Sequence, residues 1–296
     1  MSPELQTGIA YALSAGVLWG LTPLLLKRAI KHTNVSNATL AEQIAAVVLL
    51  VALAVYDGEI GAVDFTSQAF WAFFLAGAVG ASFGKVFYYR GIDKVGASKA
   101  TSVKNSSPLL TAILAIVFLG ENVNGFILAG ILAIILGIAV LTQTKESGGR
   151  SVDRLQYFLF PLIAALCFGI NPIFKKIGMN AASLPLLGAL ITQTTALLFM
   201  IFLGKFMGLN PKWERIPAHG LILLALAGAT EALGSLFTFF ALGYGPAALL
   251  SPIWRISPLI TFALARFTLK GVEVVSLRDG VAAALIVLGV FILSRG

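Results

Sequence analysis

Apolar stretches long enough to cross a lipid bilayer occupy most of this chain, which leaves few folds open to it. A spanning helix needs about 20 mostly apolar residues, because the hydrocarbon core is about 30 Å thick and a helix rises about 1.5 Å per residue. Ten segments meet that requirement: 7–28, 37–56, 68–91, 96–119, 124–143, 156–178, 184–204, 217–243, 247–268 and 276–294. Hydrocarbon offers no partner for a backbone N–H or C=O, so each segment must satisfy its own backbone as a helix. Only 11% of the residues are charged, against about a quarter in a water-soluble domain. The expected fold class is an all-α membrane protein of ten transmembrane helices. The formal charge of +8 is then read as cationic loops at the membrane surface, with the lipid bilayer and not nucleic acid as the partner. A single cysteine, Cys167, excludes an internal disulfide and a thiolate metal site. Met1 to Gln6 lacks the basic stretch of a cleaved signal peptide.

The ten segments form two sets of five that repeat each other. Trp19-Gly20-Leu21-Thr22-Pro23 matches Phe168-Gly169-Ile170-Asn171-Pro172 at an offset of 149. Gln43 matches Gln193, Gly84 matches Gly234, and Ser107-Pro108-Leu109 matches Ser257-Pro258-Leu259, all at 150. Glu121 matches Glu273, and Leu136-Gly137 matches Leu288-Gly289, at 152. A nearly constant offset marks a duplication. The expected organisation is a first repeat over 1–142, a polar linker over 143–154 and a second repeat over 155–296. Five is odd, so the second copy enters the membrane from the opposite side. The halves are therefore expected as inverted repeats around a central cavity, the arrangement in which secondary transporters place the substrate near the midplane.

Two matching stretches carry the chemistry. Lys104-Asn105-Ser106-Ser107-Pro108 and Trp254-Arg255-Ile256-Ser257-Pro258 each place a cation and a Ser-Pro within an apolar run. A charge at membrane depth costs a few kcal/mol at least and marks a pathway or a paired site. A proline removes a backbone hydrogen bond and weakens the helix. Pro23, Pro108, Pro172 and Pro258 are accordingly the expected hinge positions. Lys85, Lys104 and Arg255 are the cations left inside helices, and Glu42 and Glu231 the acids. Glu42, near the start of its segment, is expected to reach the interface, and Lys85 has the same option. Glu231 has two possible roles: a structural partner of Arg255 or Lys104, or a substrate group. With Glu231 spent on one cation, positive charge remains and favours an anionic guest. Arg255 supplies a planar fork for carboxylate or phosphate, with Trp254, Trp19 and Tyr88 as aromatic walls. The expected substrate-binding set is Lys85, Lys104, Asn105, Glu231, Trp254, Arg255, Trp19 and Tyr88. The glycine pairs Gly16/Gly20 and Gly80/Gly84 have the spacing of close helix packing.

With its five-plus-five duplication, Trp19-Gly20 ahead of Pro23, Ala97-Ser98 ahead of Ser107-Pro108, and Glu121 and Glu273 after the fourth and ninth segments, the chain resembles the EamA-type drug/metabolite transporters. The resemblance implies a basket-like fold in a plasma or inner membrane, with a cavity lined by segments 1, 3, 4, 6, 8 and 9. It also implies export or exchange of small metabolites without ATP. A coupling ion or proton is compatible with it, and no cofactor is expected. Many relatives carry an arginine where this chain has Glu42-Gln43, so no role is transferred to that position. Absence of a nucleotide phosphate loop agrees with secondary transport. The competing classes are an intramembrane enzyme acting on a lipid-linked substrate, for which only Glu231 is a candidate acid, and a non-transporting scaffold, which leaves the buried cations without a purpose. Odd-numbered loops hold fifteen lysines and arginines, against three (Lys175, Lys176 and Arg295) on the other side. By charge this puts the odd loops in the cytoplasm, whereas the resemblance implies cytoplasmic termini.

Overall fold

The computed structural model describes residues 2–62, 64, 66–95, 100, 103–142, 155–204, 206, 211–212, 215–268 and 277–295, and no strand occurs among them. Helix α1 (Pro3–Ala29) starts where Ser2 Oγ accepts from Leu5 N at 3.2 Å, with proline at the first position, where its missing N–H costs nothing. Helix α2 (Val35–Asp57) starts on the side chain of Asn34 and stops at Gly58, whose φ of +81° suits a residue without Cβ. Then come α3 (Gln68–Leu75), a π-helical stretch (Ala76–Phe83) and α4 (Gly84–Val95). They are followed by α5 (Ser107–Leu119), α6 (Gly125–Thr142), α7 (Leu159–Ala181) and α8 (Pro185–Leu203). Helices α9 (Ala218–Tyr244), α10 (Ala247–Trp254), α11 (Ser257–Thr268) and α12 (Leu277–Leu293) complete the order. The linker 143–154 and Glu273 lie outside the described residues.

Among the described residues seven spans are long and apolar enough to cross a membrane, and three shorter apolar helices accompany them: Ser107–Leu119, Gly125–Val140 and Gly280–Leu293. Large apolar side chains such as Val48, Val117, Leu198, Phe202 and Val287 stand exposed on the outside of the bundle. In a chain this poor in charge they form a lipid-facing surface, and the protein is a multi-pass membrane protein. The inner core gathers Ile131, Ile134, Leu250, Ile253 and Ile286.

The prolines behave in two ways. Segments 96–119 and 247–268 are not single helices. Turns at Asn105–Ser106 and Arg255–Ile256 interrupt them just ahead of Pro108 and Pro258. The local bonds tighten there: Ser106 N donates to Val103 O at 3.1 Å, and Arg255 N to Pro252 O at 3.1 Å. A proline ring cannot donate and crowds the carbonyl four residues earlier, which explains both breaks. Pro23 and Pro172, expected as hinges, instead lie inside unbroken α1 and α7. The π stretch was not foreseen. Asn171 of α7 packs on Gly80 and donates from Nδ2 to Ala76 O at 2.7 Å, and Ser82 Oγ donates to Gly77 O at 3.0 Å, so the loosened backbone finds side-chain partners.

Contacts between the halves come in matched pairs. Thr111 Oγ1 donates to Gly169 O at 2.8 Å, and Thr261 Oγ1 donates to Gly20 O at 2.8 Å. Gln43 and Gln193, equivalent in the two halves, bond to each other, Nε2 to Oε1 at 3.0 Å. Helices α6 and α12 touch backbone to backbone. A Cβ on Gly137 would lie 2.8 Å from Ala282 O, and one on Gly289 would lie 2.8 Å from Gly130 O, so the two helices run antiparallel. The Gly20 and Gly80 positions are likewise filled, by Ile260 and Asn171, as the small-residue spacing implied.

These approaches make a graded test of the packing. Gly137→Ala puts a methyl 2.7 Å from Ile286 Cγ1, whereas Gly125→Ala meets nothing within 4 Å. Overpacking costs about 1–3 kcal/mol. Gly137→Ala is expected to lower the unfolding temperature of the detergent-solubilised protein by several degrees, and Gly125→Ala is expected not to lower it.

Candidate functional site

The helix breaks and the π stretch open a cavity of ≈ 350 Å³ between the halves. Helix α1 lines it with Trp19, Thr22, Pro23 and Leu26, and α7 with Phe168, Asn171 and Lys175. Thr192 and Gln193 come from α8, and Glu231 and Ser235 from α9. Gly80 of the π stretch and Lys85 at the start of α4 form another wall, and the α10–α11 break adds Trp254, Arg255 and Ser257. Of the residues expected in the site, Trp19, Lys85, Glu231, Trp254 and Arg255 therefore share one cavity. Lys104, Asn105 and Tyr88 are not part of its lining, although Lys104 and Tyr88 stand next to it through Phe168.

The link between the two groups is Phe168. Arg255 Nη2 donates to Phe168 O at 3.1 Å, and its guanidinium lies 5.6 Å from the centre of the Phe168 ring. Lys104 Nζ lies 5.7 Å from the centre of the same ring and 4.8 Å from that of Tyr88. Aromatic faces attract cations, but by only about 0.5–2 kcal/mol, which does not replace a counter-charge. Among the described residues neither cation meets a carboxylate within 4 Å; the one ion pair there is Lys94 with Asp93 on the surface. The structural pairing of Glu231 with Arg255 or Lys104 is thus not formed. Buried donors that also lack an acceptor include Trp19 Nε1 in the cavity wall, and Asn105 Nδ2 and Ser107 Oγ at the break after Lys104.

Glu231 belongs to a different cluster. Its carboxylate accepts from Gln193 Nε2 at 3.2 Å, and Gln193 in turn is held by Gln43. Lys85 is within electrostatic reach of both Glu231 and Glu42. Glu42 does not reach the interface as expected. It sits two turns inside α2 at 6% exposure, because α2 starts at Val35 and α9 packs closely on it where Gly228 meets the Glu42 carbonyl.

A larger correction concerns Lys175 and Lys176, expected as loop charges. Helix α7 continues to Ala181, so both are helical. Lys175 is 4% exposed, donates to Thr238 Oγ1 at 2.9 Å and lies 4.7 Å from the Phe239 ring centre. Lys176 donates to the carbonyls of Leu242 at 2.6 Å and Gly245 at 3.0 Å. Sequence reasoning missed the uncharged Thr22, Thr192 and Ser235 of the cavity and one charged residue, Lys175. The signal was there in the Ile177-Gly178-Met179 that follows, which is helix-compatible and apolar, and in the repeat, which aligns Lys175 with Leu26 inside α1.

Fold and cavity together define a multi-pass helical membrane protein with a chamber that holds charged and polar side chains between two halves. The sequence profile of the EamA-like transporter family matches residues 6–143 and again 155–295, and the chain belongs to that family. An uncharacterized protein of Methanocaldococcus jannaschii is 28% identical over 134 residues, which is 45% of this chain and 92% of that protein. One solved crystal structure, whose title names no function, superposes with a TM-score of 0.78 at 18% identity, covering 98% of this chain and 97% of the other, and so shares the fold. Family membership makes the protein a membrane transporter of small molecules.

The absence of an ion pair between Glu231 and Arg255 has a measurable consequence. A broken buried pair costs about 3–5 kcal/mol, much of which the double variant restores. With no such pair formed, the Glu231→Ala, Arg255→Ala double variant is expected to unfold at or below the lower temperature of the two single variants, with no rescue.

Proposed function

We propose that the protein is a secondary transporter that exports or exchanges small organic metabolites bearing a carboxylate or phosphate across the plasma or inner membrane. The observation that carries this reading is the Arg255–Phe168–Lys104 cluster, in which two cations share one ring and, among the described residues, no carboxylate lies within 4 Å of either. A buried charge left unpaired is costly, and an anionic guest is the partner that would offset it. Arg255 gives that guest a bidentate fork, and Lys104 adds a second charge. Arg255 also sits at the break before α11, whose first N–H groups carry the positive end of the helix dipole. Trp19 Nε1, in the cavity wall and without a partner, supplies a further donor to an oxygen-rich ligand. Glu231 lies within electrostatic reach of Lys85 and Lys175 and is not spent on Arg255, whose end of the cavity is left positive.

Ten helices in two inverted five-helix repeats complete the reading. The reciprocal Thr111/Thr261 bonds, the mutual Gln43–Gln193 bond and the antiparallel α6–α12 contact support it, as expected for a two-fold axis perpendicular to the helices. A relative matched over 92% of its length by less than half of this chain fits a single-repeat unit.

Reconstituted liposomes given labelled monocarboxylates, dicarboxylates, sugar phosphates, amino acids and neutral sugars test the reading. Saturable uptake is expected for at least one anionic member and not for the neutral sugars. Arg255→Lys keeps the charge but loses the fork and is expected to lower that uptake about tenfold, a loss of about 1.4 kcal/mol. Uptake restricted to neutral or cationic solutes and unchanged in Arg255→Ala would refute it.

A further inference from the structure

One end of the cavity is stitched shut and the other is not. At the shut end the chain turns from α9 into α10 through Gly245-Pro246. That corner is held from both sides. Lys176, near the end of α7, donates to Leu242 O and Gly245 O, carbonyls at the end of α9. These last carbonyls have no acceptor role inside the helix and carry its negative pole, so an ammonium group suits them. Glu121 follows Gly120, whose φ of +64° ends α5. Its two carboxylate oxygens accept from Ala247 N at 2.7 Å and Ala248 N at 2.8 Å, the positive pole of α10. Lys176 and Glu121 also attract each other across the corner. Two charges thus tie α5, α7, α9 and α10 together by four bonds to backbone.

The corner communicates with the cations over a short rigid path. Helix α10 has eight residues, and so spans about 12 Å from Ala247 at the corner to the Arg255 break. Every residue of α10 is buried, which makes it a packed rod. A shift of the corner must move Arg255.

At the other end the equivalent of Lys176 is disengaged. Lys27 aligns with Lys176 at the repeat offset of 149, yet it is exposed and forms no hydrogen bond or ion pair among the described residues. Pro23 lines the cavity and is exposed, whereas its equivalent Pro172 is buried. The cavity therefore opens at the α1 end and is closed at the α7 end.

We infer that Lys176 and Glu121 form the latch that keeps one mouth of the cavity closed, and that Lys27 is the matching latch residue of the opposite mouth. This rests on the inverted-repeat transporter reading. In the opposite state Lys27 takes the carbonyls of Ile92 and Val95 at the end of α4, which align with Leu242 and Gly245 at an offset of 150. The Lys176 bonds are released as those of Lys27 form, so the two mouths are never both open. This assigns function to three residues outside the binding cavity, none of which touches substrate; Lys176 and Glu121 position the α10 rod.

Spin-label distances test this without any substrate. In a Cys167→Ser background, one label pair at Asn122→Cys and Ser183→Cys spans the closed mouth, and a second at Lys31→Cys and Asp93→Cys spans the open one; all four sites are exposed. The unmodified latch is expected to give one dominant, short distance across the closed mouth. Lys176→Met is expected to add a population several ångströms longer there and, in the same sample, a shorter one across the open mouth. Lys176→Arg keeps the donors and should restore the first pattern. Glu121→Gln, which places an amide N–H against the N–H groups of α10, should act in the same direction as Lys176→Met and serves if that variant does not fold. Adding Lys27→Met to Lys176→Met should shrink the new populations. Unchanged distances in both Lys176→Met and Glu121→Gln would overturn the latch, as would lengthening at one mouth with no change at the other. An effect of Lys27→Met limited to its own mouth would overturn the matching role. Because no anion enters the measurement, its failure and a failure of the uptake assay are separate results.

Discussion

Positive charge that meets no counter-charge among the described residues, held inside a protein that lies in lipid, is the constraint on which the rest of the structure depends. Arg255 and Lys104 cannot face hydrocarbon, where an ionised group costs several kcal/mol. Their helices must therefore turn them toward protein interior. There the Phe168 carbonyl and ring, together with Tyr88, meet part of their demand. Breaks ahead of Pro108 and Pro258 are tolerable for the same reason. Irregular backbone at membrane depth survives only where it is buried or lines a polar cavity. The cations, the broken helices and the chamber thus require one another, and the outer face is left to Val, Leu and Phe side chains in lipid.

The second half of the economy is symmetry. Equivalent residues make equivalent contacts in the core, as Thr111 with Gly169 and Thr261 with Gly20 show. Around the cavity the equivalence is broken. Lys85 aligns with Ser235, Lys175 with Leu26, and Arg255 with Asn105. A duplicated frame supplies the packing, and divergence at these pairs concentrates the charge. Phe168, on the second copy, faces Arg255 while its equivalent Trp19 leaves Nε1 without a partner in the cavity wall.

Much of this was legible from residues alone, for identifiable reasons. Apolar length marks a spanning segment directly, and a Ser-Pro in mid-run marks a weak point, so the interruptions at Asn105–Ser106 and Arg255–Ile256 followed from local chemistry. The cavity membership of Lys85, Glu231 and Arg255 followed from the cost of a charge in lipid. What failed was depth. Glu42 and Lys175 each fall near the edge of an apolar run, and hydropathy cannot tell a helix end from a helix interior when the neighbouring segment, here α9, covers both. The π stretch depends on a partner 95 positions away, Asn171, which local sequence cannot announce. Of the two roles left open for Glu231, pairing with Arg255 or Lys104 is not formed among the described residues, because Gln193 and Lys85 lie nearer to it.

The claim most in need of a direct test is that the chamber is water-accessible and electropositive, whatever its substrate. Ser257 lines it beside Arg255, and Ser257→Cys in a Cys167→Ser background places one small thiol there. Its modification by an anionic and by a cationic methanethiosulfonate of similar size can be timed, each rate being divided by that with a free thiol in solution. The account predicts a normalised rate several-fold higher for the anionic reagent, with the preference weakened by salt and by Lys104→Met. A preference for the cationic reagent, or a thiol that neither reagent reaches, would contradict it.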